Sequence, residues 1–191
     1  ELSKLPRLLD ELEIEIGLFE ARFTGSSSWL PPKLKEAISY RLKDLNQNRD
    51  KIAAVKQLLP IITTIIGIDG QRREYLVLLQ NESELRPTGG FIGSFGILIF
   101  KNGKSVNFEV KDVYEADGQL EGHVEPPAEI RDYLVEASWF LRDANWQANF
   151  TGAAKDLEWF LEKEIGRKVD GVISVNLAVA RAVLEVVGEI T

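Results

Sequence analysis

The stretch from Tyr75 to Phe100, YLVLLQNESELRPTGGFIGSFGILIF, most narrows what this chain can fold into. Tyr75 to Leu79 is a short apolar run, Phe91 to Phe100 is a second, and their length and β-branched and aromatic content predict buried strands. Between them lie the polar turn Gln80-Asn81-Glu82-Ser83-Glu84 and then Arg86, Pro87, Thr88, Gly89 and Gly90. Glycine permits a positive φ or a close backbone approach, and the planar fork of arginine suits a carboxylate or a phosphate. These residues fit an anion-binding loop, and they fit equally a hairpin-like connector with a surface arginine.

The pattern continues as a meander. Asn102-Gly103 between apolar runs predicts a two-residue hairpin, and Val106, Phe108 and Val110 alternate with polar residues as a third strand antiparallel to the second. Strands one and three then point the same way, which brings the loops that follow them, 84–90 and 111–118, to one edge. Residues 128–141 read as a helix, Thr151 as the N-cap of another that stops at Gly166, and Val169 to Val175 as a strand; Asn176 caps a last helix ended by Gly188. The expectation for residues 70–191 is an α/β domain, a mixed β-sheet covered by helices.

An N-terminal helical hairpin over residues 1–69 precedes it. Leu2, Leu5, Leu8, Leu9, Leu12, Ile16 and Phe19 recur at helical spacing; Thr24 to Ser28 and Pro31-Pro32 break the pattern. A second helix starts near Lys33 and runs through Ile38, Leu42, Leu45, Ile52, Val55 and Leu59. Residues 52–68 are strongly apolar. Lys56, Pro60 and a length short of the roughly 20 residues of a span argue against a membrane crossing, so a helix kinked or stopped near Pro60 and packed on the core is expected.

Composition excludes several chemistries. The 191 residues contain no Cys and only one His, His123, which removes thiolate chemistry and makes a multi-histidine zinc site or a Ser-His-Asp arrangement improbable. Residues 1–70 balance 10 Lys/Arg against 10 Asp/Glu, and residues 71–191 hold 13 against 20, so the net charge of −7 lies wholly in the second part. No basic footprint for nucleic acid exists. The start at Glu1 and the absence of Met lead us to expect an excised segment of a longer protein, with any signal or anchor upstream of it.

Candidate chemistry gathers in three loops. Arg86, Lys111 and Arg142 are cations for an anionic ligand, although Lys111-Asp112 also reads as a solvated strand end and Arg142-Asp143 as a surface ion pair. Asp112, Glu115 and Asp117 offer oxygen ligands suited to Mg²⁺ or Ca²⁺. The glycine set 89, 90, 93 and 96 leads into a strand, not a helix N-terminus, which excludes a Walker or dinucleotide loop. Trp139, Trp146 and Trp159 read first as core residues, although Trp146, beside the third loop, could stack on a ligand.

The segments LLQNESELRPTGGFIGSFG, VKDVYEADGQLEGHVEPP, WFLRDANWQANF and VDGVISVNLAVARAVLEVVGEI together resemble a bacterial family catalogued as a domain of unknown function (4012). That family more distantly resembles the LytR-CpsA-Psr phosphotransferases, which move glycan from a polyprenyl pyrophosphate carrier to a cell-wall acceptor with arginines and Mg²⁺. The resemblance implies an extracytoplasmic, membrane-anchored protein with Arg86, Lys111, Asp112, Arg142 and Asp143 as catalytic residues. It further implies Asp112 and Asp117 as metal ligands and Thr88, Gly89, Gly90, Tyr114, Asn145 and Trp146 as ligand contacts. On that view, removing Arg86 or Arg142 would abolish anion binding at little cost in stability. Three departures stand out: Pro87-Thr88 replaces a metal-binding aspartate, Lys111 replaces an arginine, and the later arginine-rich segment would fall after Thr191. The alternative expectation is a non-catalytic surface module that binds envelope glycan or a partner protein, its arginines tied up in ion pairs.

Overall fold

A computed structural model describes residues 4–24, 31–176, 178, 179, 181, 182 and 185. The chain divides into two compact units, Glu1–Gln71 and Arg72–Thr191.

The first unit is a helical hairpin of α1 (Leu5–Thr24) and α2 (Pro32–Ile65). Among the described residues, Ile16, Ile52 and Leu59 are its buried aliphatic side chains. Lys56 pairs with Asp10 and Glu13 at 2.6 and 2.7 Å, and Arg49 with Glu20 at 3.2 Å, so the helices run antiparallel. Leu2 and the side chains of Ile38, Leu42 and Leu45 lie outside the described residues. Of the two alternatives at Pro60, a stop is not what occurs: α2 carries that residue inside and ends at Ile65. A proline costs a helix interior about 3 kcal/mol. The turn after it is tied by the Thr63 and Thr64 hydroxyls, which donate to the Pro60 carbonyl. Among the described residues, no helix is long and apolar enough to cross a membrane.

The second unit is a mixed α/β fold. Strands β1 (Arg73–Asn81), β2 (Phe91–Lys101), β3 (Lys104–Asp112) and β4 (Gly171–Asn176) form one sheet in the order β3-β2-β1-β4. The meander β1-β2-β3 is antiparallel, closed at Asn102-Gly103, and β4 pairs parallel to β1. Strands β1, β3 and β4 therefore end at the same edge, where the loops after β1 and β3 meet. Alternation gives the sheet two faces. Leu76 and Leu78 on β1 with Phe95, Ile97 and Ile99 on β2 face the core. There they meet Leu157, Phe160 and Leu161 of α4 (Phe150–Ile165) and Val113 and Ala116 of α3 (Val113–Asp117). The three α4 side chains are fully buried, each worth about 1.5–3 kcal/mol, so packing fixes this helix more than propensity does.

Two local expectations change. Asn149, not Thr151, caps α4, accepting from the Thr151 amide at 3.1 Å, while Gly166 ends the helix at φ 67° as expected. Residues 128–141 do not form one helix. They hold a single π turn, Ile130–Leu134, stopped by Val135 at φ 58°, and the chain then returns so that the Trp139 amide donates to the Val124 carbonyl at 2.8 Å. A 3₁₀ turn, Leu141–Trp146, follows. Asn176 accepts from the Val179 amide at 3.0 Å, in keeping with its expected cap role; Gly188 lies outside the described residues.

Gly90 at φ 137° follows Gly89 at φ 121°, and a methyl on Gly90 would overlap the Asn81 carbonyl. Gly93 has ordinary φ and open space. Gly90→Ala should cost more than about 2 kcal/mol, since it adds a backbone clash to an unfavourable φ. Gly93→Ala should stay within about 0.5 kcal/mol. Urea denaturation of the two variants checks this.

Candidate functional site

At the shared strand edge, the loop after β1 and the 3₁₀ turn meet through hydrogen bonds. Thr88 donates its hydroxyl to the Asn145 backbone carbonyl at 3.0 Å, and the Asn145 side chain donates from Nδ2 to the Gly90 carbonyl at 2.7 Å. The di-glycine is a backbone fit: Gly89 sits against the Gln80 side chain and Gly90 against Asn81. Thr88, Gly89, Gly90 and Asn145 are thus brought together, and each is engaged by protein.

The arginines are buried in the same place. Arg86 donates from Nε and Nη2 to Oδ1 of Asp143 at 3.2 and 2.9 Å, and from Nη2 to Glu84 at 3.0 Å. Its side chain is 7% exposed and that of Asp143 3%. Arg142 donates to Asp117 at 2.8 Å and to Glu136 at 2.9 Å, and its Nε lies 3.4 Å from the second Asp143 oxygen. The Arg142 guanidinium lies 4.5 Å from the Phe140 ring centroid and 5.6 Å from that of Tyr114; Arg86 lies 5.4 Å from Phe91. The Asp143 carbonyl also accepts from the Trp139 indole at 3.1 Å. Arg142 and Asp143 are therefore no surface pair. One aspartate bridges two guanidinium groups, and two further carboxylates complete the second.

The other expected site residues stand at the margin. Lys111 lies 3.4 Å from Glu109 on the outer strand. Asp112 caps α3, accepting from the Tyr114 amide at 2.9 Å, and Asp117, at the far end of α3, is engaged with Arg142. Tyr114 is exposed beside Arg142, and Trp146 is half-buried at the end of the 3₁₀ turn. Among the described residues, no group of three or more His, Asp or Glu is arranged to hold a metal ion.

A family model described as a protein of unknown function, DUF4012, matches residues 69–191. The chain belongs to the DUF4012 family. No curated protein and no solved structure matches it. The matched region contains the whole arginine cluster, so in this chain the cluster lies in the DUF4012 domain and not in the helical hairpin.

The segment of the DUF4012 domain that carries α3 and the 3₁₀ turn is acidic. Residues 112–143 hold nine Asp/Glu and two Lys/Arg, an excess as large as the net charge of the whole chain, −7. Burial pushes the Asp117 and Asp143 carboxyls above the usual range, against the pull of Arg142 and Arg86. For Arg142, burial works downward but is outweighed by Asp117, Glu136 and Asp143, which raise it. Glu164 of α4 is buried with them: one oxygen accepts from the Leu141 amide at 3.1 Å and the other has no partner, and burial lifts its carboxyl to about 8.

Glu164 and Glu136 were not singled out from the sequence. A signal existed for the first: Ala153, Leu157, Phe160, Leu161 and Glu164 share one helical stripe, which places a carboxyl on a buried face. For Glu136, no spacing announces its partner. The burial of both arginines also reverses the expectation that they can be removed at little cost in stability.

The Glu164 position gives a pH test. Its folded value lies above that of an unfolded glutamate, so the folded chain holds the proton more tightly. Stability from this group is complete below pH about 4.5 and is lost as pH rises towards about 8. Glu164→Gln keeps the bond from Leu141 and cannot ionise. The melting temperature of the variant should match the parent near pH 4, exceed it increasingly from pH 5 to 8, and then hold a constant lead. A lead independent of pH would show that Glu164 does not titrate in this way.

Proposed function

We propose that this DUF4012 domain is a non-catalytic module of the bacterial cell envelope that acts through its surface, with its arginines engaged in holding the fold. The envelope setting rests on the distant resemblance of the DUF4012 family to the LytR-CpsA-Psr phosphotransferases. One observation carries the non-catalytic reading: Arg86 and Arg142 are saturated by Glu84, Asp143, Asp117 and Glu136, two positive charges against four carboxylate groups. A polyprenyl diphosphate would have to displace Asp143 from Arg86 and then approach a segment of net negative charge. Freeing a buried charge from its partner costs about 3–5 kcal/mol, and Coulomb repulsion adds to that.

A phosphotransferase of the LytR-CpsA-Psr kind needs the opposite arrangement. Charge neutralisation by arginine and Mg²⁺ supplies most of the catalysis in phosphoryl transfer, so those groups must be open to the transferring phosphate. Lys111, on the outer strand, does not join the two arginines, and Asp112 and Asp117 are already engaged by the α3 cap and by Arg142. The partners that suit the domain are envelope glycan or an envelope protein, met at exposed side chains.

The test is thermal stability with a short-chain polyprenyl pyrophosphate, with and without Mg²⁺, in the parent and in Arg86→Lys, which keeps the charge against Asp143. The proposal expects no saturable stabilisation in either. A metal-dependent rise in melting temperature that Arg86→Lys abolishes would overturn it and place a diphosphate site at the cluster.

A further inference from the structure

The helical hairpin carries more apolar surface than its own packing uses. The seam between α1 and α2 runs through Leu9, Glu13 and Ile16 on the first helix and Ile52, Lys56, Leu59 and Thr63 on the second, all buried or half-buried. The residue before each seam position lies about 100° round the helix. Those residues are Leu8, Leu12 and Glu15 on α1 and Lys51, Val55, Leu58 and Ile62 on α2, all exposed. The five apolar ones are 43% to 55% exposed. In an antiparallel pair they share one side of the hairpin, because reversing a helix reverses the sense in which its residues wind when both are viewed from one end. The opposite side bears this out. Pro6, Asp10 and Pro60, each one residue beyond a half-buried or buried leucine, line one cleft there together. That cleft side is polar at Asp10, Gln57 and Thr64, so the hairpin has one apolar flank and one polar flank.

We propose that the apolar flank is the surface through which two copies of this chain close a four-helix bundle, about a two-fold axis parallel to the helices. That axis lays α1 of each copy antiparallel on α2 of the other, the arrangement of neighbours in an up-down bundle. A rotation about it moves no residue along the helices, so each α1 meets the other copy's α2 at the height at which it meets its own. The hairpin's own pairs, Lys56 with Asp10 and Arg49 with Glu20, fix that height. Carried across, it brings Glu15 of each copy level with Lys51 of the other. Both side chains are exposed and, among the described residues, neither has an ion-pair partner. The contact then consists of five half-exposed apolar side chains from each copy, closed at one end by two complementary charge pairs. That suits the apolar centre of a standard interface of about 800 Å² per partner. The two charges also select the occupant. A bilayer would leave Glu15 without a counterpart, whereas a second copy supplies both the matching flank and the cation by symmetry.

Sedimentation velocity on the 191-residue chain across the micromolar range tests this in the parent, in Glu15→Lys, in Lys51→Glu and in the variant with both changes. The parent should show a concentration-dependent monomer–dimer equilibrium. Each single reversal sets like charges opposite one another twice and should raise Kd by roughly three- to thirty-fold, and the double reversal should return it to within about two-fold of the parent. Unchanged melting temperatures in dilute monomer would show that all three variants fold. A parent that stays monomeric throughout, including one that instead sediments with phosphatidylglycerol vesicles, overturns the inference. So does a dimer in which the two reversals add with no rescue.

Discussion

The bridge from Arg86 through Asp143 to Arg142 is the interaction on which the α/β unit depends. It ties the loop after β1 to the 3₁₀ turn, and through Asp117 it reaches the end of α3. Each of these segments lacks a regular ladder of its own. The loop after β1 has two glycines in left-handed space, and the 3₁₀ turn is short and kinked at Asn145. Buried ion pairs contribute little net stability relative to a well-packed apolar core, but removing one partner is costly because the other is left charged and dry. The cluster thus acts chiefly as a constraint: alternative placements of these loops would strand a buried charge.

The same constraint shapes the chemistry open to this edge. A guanidinium that grips a free anion must have donors facing solvent. Here the donors of Arg86 face Asp143, Glu84 and its own neighbouring carbonyl at Leu85, while those of Arg142 face three carboxylates. The aromatic rings of Phe91, Phe140 and Tyr114 cover the guanidinium faces. The residue types that suggest phosphate chemistry in a sequence are equally the types from which a buried polar network is built, and burial distinguishes the two.

The meander was legible in the sequence because its signals are local: alternation on β3, Asn-Gly at the hairpin, and a largely apolar β2. Helix α4 was legible from its capping residues and from Gly166, with its start misplaced because Asn149 and Thr151 are both good caps and the earlier one wins. Residues 128–141 were not legible, since what shapes them is the long-range return of Trp139 to Val124 and a left-handed Val135. Arg86, Asp117, Arg142 and Asp143 were legible as candidates, whereas Glu136 and the burial of the group were not. Arg86 and Asp143 are 57 residues apart, a separation no periodicity reports, and Arg142-Asp143 read in sequence like any exposed neighbouring pair.

A double-mutant cycle on stability most directly tests whether the arginines hold the fold: Arg86→Met, Asp143→Leu and the pair together, measured by denaturant unfolding. The account predicts that each single variant is strongly destabilised and that the double variant recovers much of the loss, with a coupling of at least about 2 kcal/mol. Near-additive losses, with coupling under about 0.5 kcal/mol, would contradict it and mean that Arg86 is free of Asp143 in solution and open to an anionic ligand.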